Sequence, residues 1–307
     1  MIKVNFVDFW PNFNKIDNYF FNLLGTKYKV VVDENNPDLL FFSVDYAKRR
    51  ERDRYCNHRC KKIFYTGENV RANLNFPGSI EYSRYSIGKA DFAFTFDFSD
   101  DPREYRLPLW ALIINWFGVP YDENRDQAYL VPIEKLLHRN TAPKSKFCNF
   151  VFSNPSGERS NILDSIMKYK NVDCAGRLYN NMGANIPGRA DHYYKIDFLQ
   201  NYKFTIAAEN SSHPGYATEK ILHPLSVGSI PIYWGAPQIT RDFSKECFIN
   251  ALDFPSFKDL TEYVKVIDSD EELCMQYATA PVFNGNQIPD YVLPENVLRF
   301  FEEKILC

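Results

Sequence analysis

Residues 202–237 read YKFTIAAENSSHPGYATEKILHPLSVGSIPIYWGAP and predict a strand, a polar loop, a helix and a second strand. The apolar run at 204–208 is short and β-rich, as in a buried strand. Thr218 precedes the helix and Gly228 ends it, and residues 230–233 form the next strand. Units of this kind bind ligands at the carboxyl ends of their strands.

The loop and the first helical turn carry the side chains that favour a binding site. The free N–H groups and the dipole at a helix start favour an anion. Lys220 is unfavourable there, so a phosphate partner would explain it, whereas Glu219 suits the dipole and could also hold a sugar hydroxyl. The alternative is an ordinary unit in which Glu, Asn and Lys form a cap and a solvated first turn.

This stretch resembles the signature of the inverting α1,3/4-fucosyltransferases, glycosyltransferase family 10, in its bacterial form. The signature reads roughly F-x-x-x-x-E-N-S, then Y-x-T-E-K, then P-x-x-W/L-G. Here these parts are Phe204 with Glu209-Asn210-Ser211, residues 216–220 and residues 231–235. The resemblance implies an α/β fold of GT-B architecture, with two Rossmann-like domains facing a central cleft. Residues 1–145 would bind the acceptor, and residues 146–307 would bind GDP-fucose. The C-terminal helix, residues 295–306, could pack back on the first domain.

Length and composition agree with two ordinary domains, since the chain has 307 residues, 45% of them hydrophobic and 24% charged. The net charge of −3 argues against a general nucleic-acid binder. Seven cysteines without a regular pattern favour reduced, structural thiols in the cytoplasm. We expect neither a signal peptide nor a membrane span, because no apolar run approaches the required length.

The first part of the chain alternates strands with a short helix, which indicates an α/β layer rather than a β-sandwich. Strands are predicted at residues 2–9, 28–32, 39–44 and 91–98, and a helix at 17–24. Residues 48–62 read KRRERDRYCNHRCKK. They form either a solvated loop or helix, or a basic patch that attracts an anionic acceptor or gives peripheral membrane association.

Glu68 is the candidate general base. A strand ends at Thr66-Gly67, so Glu68 lies in a loop within the segment YTGEN. Soluble bacterial members of the family carry a similar segment, and the resemblance implies that its glutamate deprotonates the acceptor hydroxyl. A hydroxyl becomes a good nucleophile when a positioned carboxylate takes its proton. Without the resemblance, Glu68 would be an ordinary exposed loop residue.

The second domain begins with a strand at residues 147–152, followed by a loop and a helix. In this loop Asn154 or Arg159 could face the nucleotide. Alternatively, Ser153 and Asn154 only cap the helix. Arg177 follows in a segment that resembles the family's V-D-x-x-G-R/K, and a guanidinium suits a diphosphate. Some bacterial members place this arginine two residues later, where this chain has Tyr179.

We expect no metal and no cofactor beyond the donor substrate. Asp268-Ser269-Asp270 has the D-x-D form that metal-dependent transferases use, but it precedes two glutamates at a helix start and is read as a cap. Asp100 and Asp101 are assigned no metal. Cys56, His58 and Cys60 lack a second Cys/His pair at zinc-finger spacing.

The resemblance implies a single inverting displacement on β-linked GDP-fucose. Glu68 would be the base, and Arg177 and Lys220 would stabilise the departing diphosphate. Tyr216 and Glu219 would contact the ribose or fucose, Glu219 could steady positive charge on the sugar ring, and Asn210 would orient the loop or touch the donor. The acceptor would be an N-acetylglucosamine-containing oligosaccharide of Lewis or lipopolysaccharide type, and N-acetyllactosamine, its type 1 isomer and lipopolysaccharide termini all fit. The alternatives are a GT-B enzyme with another nucleotide sugar and a non-catalytic glycan- or nucleotide-binding protein.

Overall fold

Two parallel β-sheets organise the chain, and each belongs to a compact unit of its own. The computed structural model describes residues 1–44, 50–69, 89–122, 128–139, 141–187 and 193–307. The first unit comprises Met1–Leu112 and Asp290–Cys307, and the second comprises Ile113–Pro289. Residues 48 and 49 of the charged stretch lie outside the described residues.

The division between the units differs from the boundary at residue 145 that the sequence predicted, because residues 113–145 group with the second unit. Ile114 forms a parallel bridge with Val131 inside this segment. The Arg139 guanidinium then donates to the Ala280 carbonyl at 2.7 Å. These contacts are long-range, so the local composition before residue 146 did not reveal them.

The first unit is built on a six-stranded sheet. Its strands are β1 (Ile2–Val7), β2 (Val30–Val32), β3 (Leu39–Phe42), β4 (Lys61–Tyr65), β5 (Phe92–Thr95) and β6 (Glu104–Arg106). They lie in the order β2-β1-β3-β4-β5-β6, and Val4 is opposite both Val32 and Leu39. Helices α1 (Tyr19–Gly25) and α2 (Leu109–Leu112) complete this part, and the Asn18 side chain caps α1. The predicted strand at 91–98 is shorter in the structure.

The second unit is built on a five-stranded parallel sheet. Its strands are β7 (Lys146–Phe150), β8 (Asp173–Cys174), β9 (Tyr202–Ala208), β10 (Ile230–Trp234) and β11 (Ile249–Asn250), in the order β11-β10-β9-β7-β8. Its helices are α3 (Glu134–Leu137), α4 (Arg159–Met167), α5 (Tyr193–Leu199), α6 (Glu219–Leu225), α7 (Phe257–Ser269) and α8 (Glu271–Thr279). The predicted strand–helix–strand stretch is therefore β9, α6 and β10, as the sequence indicated.

The chain ends with α9 (Pro294–Phe300) and a π-helical turn at Phe301–Ile305, where the sequence predicted one continuous amphipathic helix. This segment packs in the core of the first unit. The Phe301 ring stacks on Phe94 at a centroid distance of 5.1 Å and lies 6.1 Å from Phe41. All three side chains are fully buried, so much of the aromatic content of the chain forms core.

Among the described residues, no helix combines the length and the apolar character needed to cross a bilayer. All seven cysteines are described and have free thiols, and five of them are buried.

Candidate active site

The polar residues of the central stretch lie at the carboxyl edge of the second sheet, beside the point where its strand order reverses. β7 pairs with β8 on one side and with β9 on the other. The loops that follow β7 and β9, residues 151–158 and 209–218, are therefore neighbours. Open parallel sheets bind ligands at such a reversal, so this edge is the candidate site of the second unit.

Glu209 is the first residue after β9, and its side chain is fully buried. Its carboxylate accepts from the Thr218 backbone N–H at 2.9 Å and from the Thr218 hydroxyl at 2.9 Å. Burial raises the pKa of the Glu209 carboxyl, and the Lys220 ammonium opposes that rise. A Cβ atom on Gly235 would lie 2.6 Å from Glu209 Cγ, so this carboxylate fits here because residue 235 is glycine.

Lys220 has its ammonium among three oxygen atoms of this network. Its Nζ lies 3.2 Å from Glu209 Oε2, 3.2 Å from Glu219 Oε1 and 3.0 Å from Thr218 Oγ1. Thr218 is also the N-cap of α6, as the sequence predicted. The charged network therefore stands on a locally encoded helix start.

Helix α5 brings a second cation, which the sequence analysis missed. Lys195 is only 8% exposed, and α5 packs against α6. Burial by itself would raise the pKa of the Glu219 carboxyl, but the Lys220 and Lys195 ammonium groups outweigh it and lower that pKa. Glu219 is therefore an ionised carboxylate at neutral pH, with its side chain 17% exposed.

His223 lies one helical turn after Glu219 and is fully buried. In the described structure neither of its ring nitrogens has a hydrogen-bond partner. Burial, together with the nearby Lys195 ammonium, lowers the pKa of His223 to about 3. Its imidazole is neutral over the physiological range, and no signal in the sequence distinguished it from a surface histidine.

Arg159 ties the loop after β7 to the end of β9. Its Nε donates to the Ala208 carbonyl at 3.1 Å, its Nη1 donates to the Asn154 carbonyl at 3.0 Å, and its guanidinium lies over the Phe152 ring. The alternative that Ser153 or Asn154 caps α4 is wrong, because the N-cap position is Glu158. The Asn154 side chain is exposed beside this loop.

Arg177 follows β8 and is exposed. Gly176 before it packs so closely that a Cβ atom would lie 2.2 Å from the Phe152 carbonyl oxygen. The backbone N–H of Leu178 also donates to that carbonyl, at 2.9 Å. The structure thus places Arg177 next to the loop after β7. Tyr179 is 52% exposed, with a left-handed backbone at φ 58°.

The remaining predicted residues of the second unit differ in accessibility. Tyr216 is 1% exposed, so its ring lies inside the unit, where its carbonyl accepts from the Tyr233 hydroxyl at 3.5 Å. Asn210 is exposed and accepts from the Ser211 hydroxyl at 3.1 Å. Glu219 and Lys220 thus lie together at the start of α6, and Asn210 lies in the loop before that helix.

Glu68 belongs to the first unit, in the loop directly after β4. The Thr66 hydroxyl donates to the Glu68 carbonyl at 2.9 Å and accepts from the Glu68 N–H at 3.0 Å, which fixes the turn. The side chain of Glu68 is partly exposed. The predicted placement, in a loop after a strand, is confirmed.

Comparison with known proteins assigns the chain to a family. A model described as glycosyltransferase family 10 (fucosyltransferase) C-term matches residues 141–279, and a model of the alpha-(1,3)-fucosyltransferase FucT N-terminal domain matches residues 4–113. The chain belongs to glycosyltransferase family 10. The family prediction made from the sequence is confirmed.

Individual relatives of this family 10 chain are similar over part of their length. Alpha-(1,3)-fucosyltransferase FucT of Helicobacter pylori is 29% identical over 268 residues, which are 80% of this chain and 52% of that protein. GDP-fucose protein O-fucosyltransferase 3 of Xenopus tropicalis is 32% identical over 162 residues, which are 50% of this chain and 34% of that protein. The chain thus spans about half or less of the length of these curated relatives.

A solved structure shows the same fold. The crystal structure of an alpha1,3-fucosyltransferase with GDP-fucose matches with a TM-score of 0.67 and 23% sequence identity, covering 98% of this chain and 89% of that one. The prediction of an α/β fold of GT-B architecture is confirmed.

The D-x-D sequence of this family 10 chain has other roles in the structure. Asp270 is the N-cap of α8 and accepts from the Leu273 N–H at 2.9 Å, as predicted. Asp268 accepts from the Lys203 and Lys170 ammonium groups, each at 3.0 Å. Within the described ranges, no group of three or more His, Cys, Asp or Glu residues is arranged to hold a metal ion.

Proposed function

We propose that this family 10 chain transfers L-fucose from GDP-fucose to an N-acetylglucosamine-containing glycan, as an inverting α1,3-fucosyltransferase. The observation that carries the proposal is the Glu209–Thr218–Glu219–Lys220 network at the strand-order reversal of the second sheet. That network coincides with the segment that carries the family signature. A related fold holds GDP-fucose in the solved alpha1,3-fucosyltransferase, which supports the same donor here.

The reaction is a single displacement. The acceptor hydroxyl oxygen attacks the anomeric carbon of fucose, the bond between that carbon and the β-phosphate oxygen breaks, and GDP leaves from the opposite face. Glu68 takes the hydroxyl proton, because a partly exposed carboxylate in a fixed turn suits a general base. Inversion at the anomeric carbon follows from one attack on the face opposite the leaving group.

The departing diphosphate gains negative charge in the transition state, so cations aimed at it lower the barrier. Lys220 and Arg177 have this role in our proposal. Glu219 contacts the ribose or fucose, and its ionised carboxylate also steadies positive charge that develops on the sugar ring. Tyr216 was predicted to make the same contact, but its ring is buried and supports the site from inside the unit. Asn210, Asn154 and Arg159 shape the donor loops, Arg159 from its buried position between them.

Charge compensation in this proposal comes from side chains, and a metal ion is not essential. Asp268, the first acid of the D-x-D sequence, is engaged by two lysines, and Asp270 caps a helix. EDTA should therefore leave turnover within about twofold.

A second acceptor class has specific support. Several relatives are named GDP-fucose protein O-fucosyltransferase 3 and are at least 30% identical over their matched regions. A serine or threonine hydroxyl of a protein could therefore replace the glycan hydroxyl, with the same donor and the same base. Direct comparison of the two acceptor classes decides between them.

The deciding experiment measures GDP release from GDP-fucose with N-acetyllactosamine, with and without EDTA, for wild type and Glu68→Ala. We expect turnover to fall at least ~100-fold in Glu68→Ala, the scale of a lost general base, while GDP affinity stays unchanged. Asp100→Ala, an exposed acid of the same unit, is the matched control and should retain activity.

Three results would contradict parts of this proposal. Full activity in Glu68→Ala would place the base elsewhere. Loss of activity in EDTA that Mn²⁺ or Mg²⁺ restores would contradict the metal-free scheme. Turnover with another nucleotide sugar but not with GDP-fucose would replace the donor, and binding of nucleotide without any turnover would favour a non-catalytic protein.

A further inference from the structure

The Lys220 ammonium already lies against several protein oxygens. An ammonium group has three N–H donors. Three oxygen atoms lie within hydrogen-bond distance of Nζ, those of Thr218 at 3.0 Å, Glu219 at 3.2 Å and Glu209 at 3.2 Å. A phosphate oxygen can therefore reach this ammonium when one of these partners is displaced.

The two carboxylates lie at the same distance from Nζ but differ in how firmly they are held. Glu209 is fully buried, and Thr218 donates to its carboxylate from both the backbone and the hydroxyl. Gly235 packs against the Cγ atom of Glu209. The backbone N–H of Glu209 donates to the Trp234 carbonyl at 2.8 Å. Displacing Glu209 would break a buried network and leave a buried charge unpaired.

Glu219 is the freer of the two carboxylates. Its side chain is 17% exposed, and its carboxylate accepts from the Lys220 ammonium at 3.2 Å. Lys195, on the neighbouring helix α5, acts on the same carboxylate and favours its ionised form. Glu219 can therefore leave Lys220 and still keep a compensating cation.

We propose that Glu209 is a positioning residue that holds the Lys220 ammonium in place permanently, and that the donor diphosphate reaches Lys220 by replacing Glu219. The exchange releases the Glu219 carboxylate to accept hydrogen bonds from hydroxyls of the bound donor. Lys195 remains as the partner that keeps it charged. This inference rests on the proposed function, since it takes the ligand of Lys220 to be a diphosphate.

The test is calorimetric binding of inorganic pyrophosphate and of GDP to the full chain. Pyrophosphate has no hydroxyl for Glu219 to bind, so it reports the exchange alone. Glu219→Gln removes the competing charge and should tighten pyrophosphate about three- to fivefold, the range of a partly exposed ion pair. Glu209→Gln leaves the ammonium without its buried anchor and should weaken pyrophosphate at least ~10-fold. Two carboxylates equidistant from one ammonium thus have opposite effects.

The same two substitutions in a Lys220→Ala background provide the control. Both effects should vanish there, because each acts through the ammonium. A purely structural role of Glu209 would weaken binding equally in both backgrounds. Thermal unfolding of each variant identifies loss of fold, and the Glu219→Gln result stands even when Glu209→Gln is unstable, because Glu219 lies nearer the surface.

The outcomes separate this inference from the proposed function. Tightening by both glutamine substitutions would mean that both carboxylates simply compete with phosphate, which overturns the positioning role. No tightening by Glu219→Gln, with weaker binding in Lys220→Ala, would overturn the exchange but keep the donor site. Unchanged GDP binding in Lys220→Ala would remove Lys220 from the donor site and with it the basis of both proposals.

Discussion

The two sheets of this protein share a parallel topology and a reversal of strand order, but their residues at the reversal serve different purposes. In the first sheet the reversal lies between β1 and β3, and the buried Asp8 follows β1. Its carboxylate pairs with the Arg52 guanidinium at 2.8 Å and accepts from the backbone N–H groups of Glu51 and Arg52. This acid holds a loop in place.

In the second sheet the reversal lies between β7 and β9, and the buried acid Glu209 follows β9 and also holds a loop, through Thr218. The difference is that its cation, Lys220, is 18% exposed and is shared with a second carboxylate. The Arg52 side chain of the first sheet is 11% exposed and pairs with the buried Asp8. The same topology therefore carries a loop anchor in one sheet and, in the other, an anchor whose cation also lies against the second carboxylate of a candidate binding site.

The variant with the largest expected effect, Asp8→Asn, tests whether Asp8 only holds a loop in place and has no part in donor binding. Asp8→Asn keeps the shape of the side chain and tolerates the left-handed backbone at φ 59°, but it removes the charge that compensates Arg52. We expect the first unit to lose about 3 kcal/mol of unfolding free energy, as for a broken buried ion pair. Denaturant unfolding measures this loss.

GDP affinity of Asp8→Asn under native conditions should stay within about twofold of wild type. A large loss of GDP affinity in the folded variant would mean that the reversal of the first sheet also serves donor binding, and the contrast between the two sheets would fail.

A second prediction compares two glycines, Gly235 beside Glu209 in the second unit and Gly67 beside Glu68 in the first unit. In Gly235→Ala the added Cβ would lie 2.5 Å from the Tyr233 hydroxyl oxygen and 2.6 Å from Glu209 Cγ, both buried. In Gly67→Ala, beside Glu68, the nearest atom is the flexible Leu109 Cδ1 at 3.0 Å. Overpacking should cost Gly235→Ala about 1–3 kcal/mol of stability and weaken GDP binding, whereas Gly67→Ala should lose less than about 1 kcal/mol.

Thermal unfolding and GDP titration of both glycine variants make this comparison. Equal losses of stability in the two variants would show that the protein is packed no more tightly around Glu209 than around Glu68.

The effect that is smallest near neutral pH is the titration of His223, in the second unit. The folded protein holds the pKa of His223 at about 3, below the ordinary value of 6.5. Between these values the unfolded chain binds a proton that the folded chain does not, so His223 makes stability fall as pH falls. The contribution of His223 to the slope should approach about 1.4 kcal/mol per pH unit. It should be absent from a His223→Gln variant, which lacks this titration, and should therefore appear in full in the difference between wild type and that variant.

Leu222→Ala is the control for the pH prediction. Its side chain is fully buried in the same helix, so it should lower stability by about 2–5 kcal/mol at every pH without changing the slope. Parallel stability curves for wild type and His223→Gln would show that His223 is not held neutral by its surroundings.

Much of the candidate active site could be predicted from the sequence. The apolar run of β9, the Thr218 cap and the pair Glu219-Lys220 are consecutive along the chain, and the loop position of Glu68 follows from the end of one strand. The helix cap at Asp270 was predicted for the same reason. Each depends on backbone groups within a few residues.

Other parts depended on contacts that no local pattern contains. Sequence reasoning left Arg159 with two open roles, and its bond to the Ala208 carbonyl arises because β7 and β9 are neighbours. It named Glu209 only as part of the family signature and gave it no partner, because its link to Lys220 forms when the loop closes on the helix start. It also assigned residues 113–145 to the first domain.

The sequence by itself determined the family, the alternation of strands and helices and the side chains at the start of α6, because these signals lie in contiguous stretches whose hydrogen bonds are local. Tertiary structure alone decided which loops adjoin at the reversal of the second sheet, and it brought the buried Lys195 of α5 against α6. Burial and charge pairing depend on residues far apart in the chain, so the ionised state of Glu219 and the neutral state of His223 exist only in the folded unit.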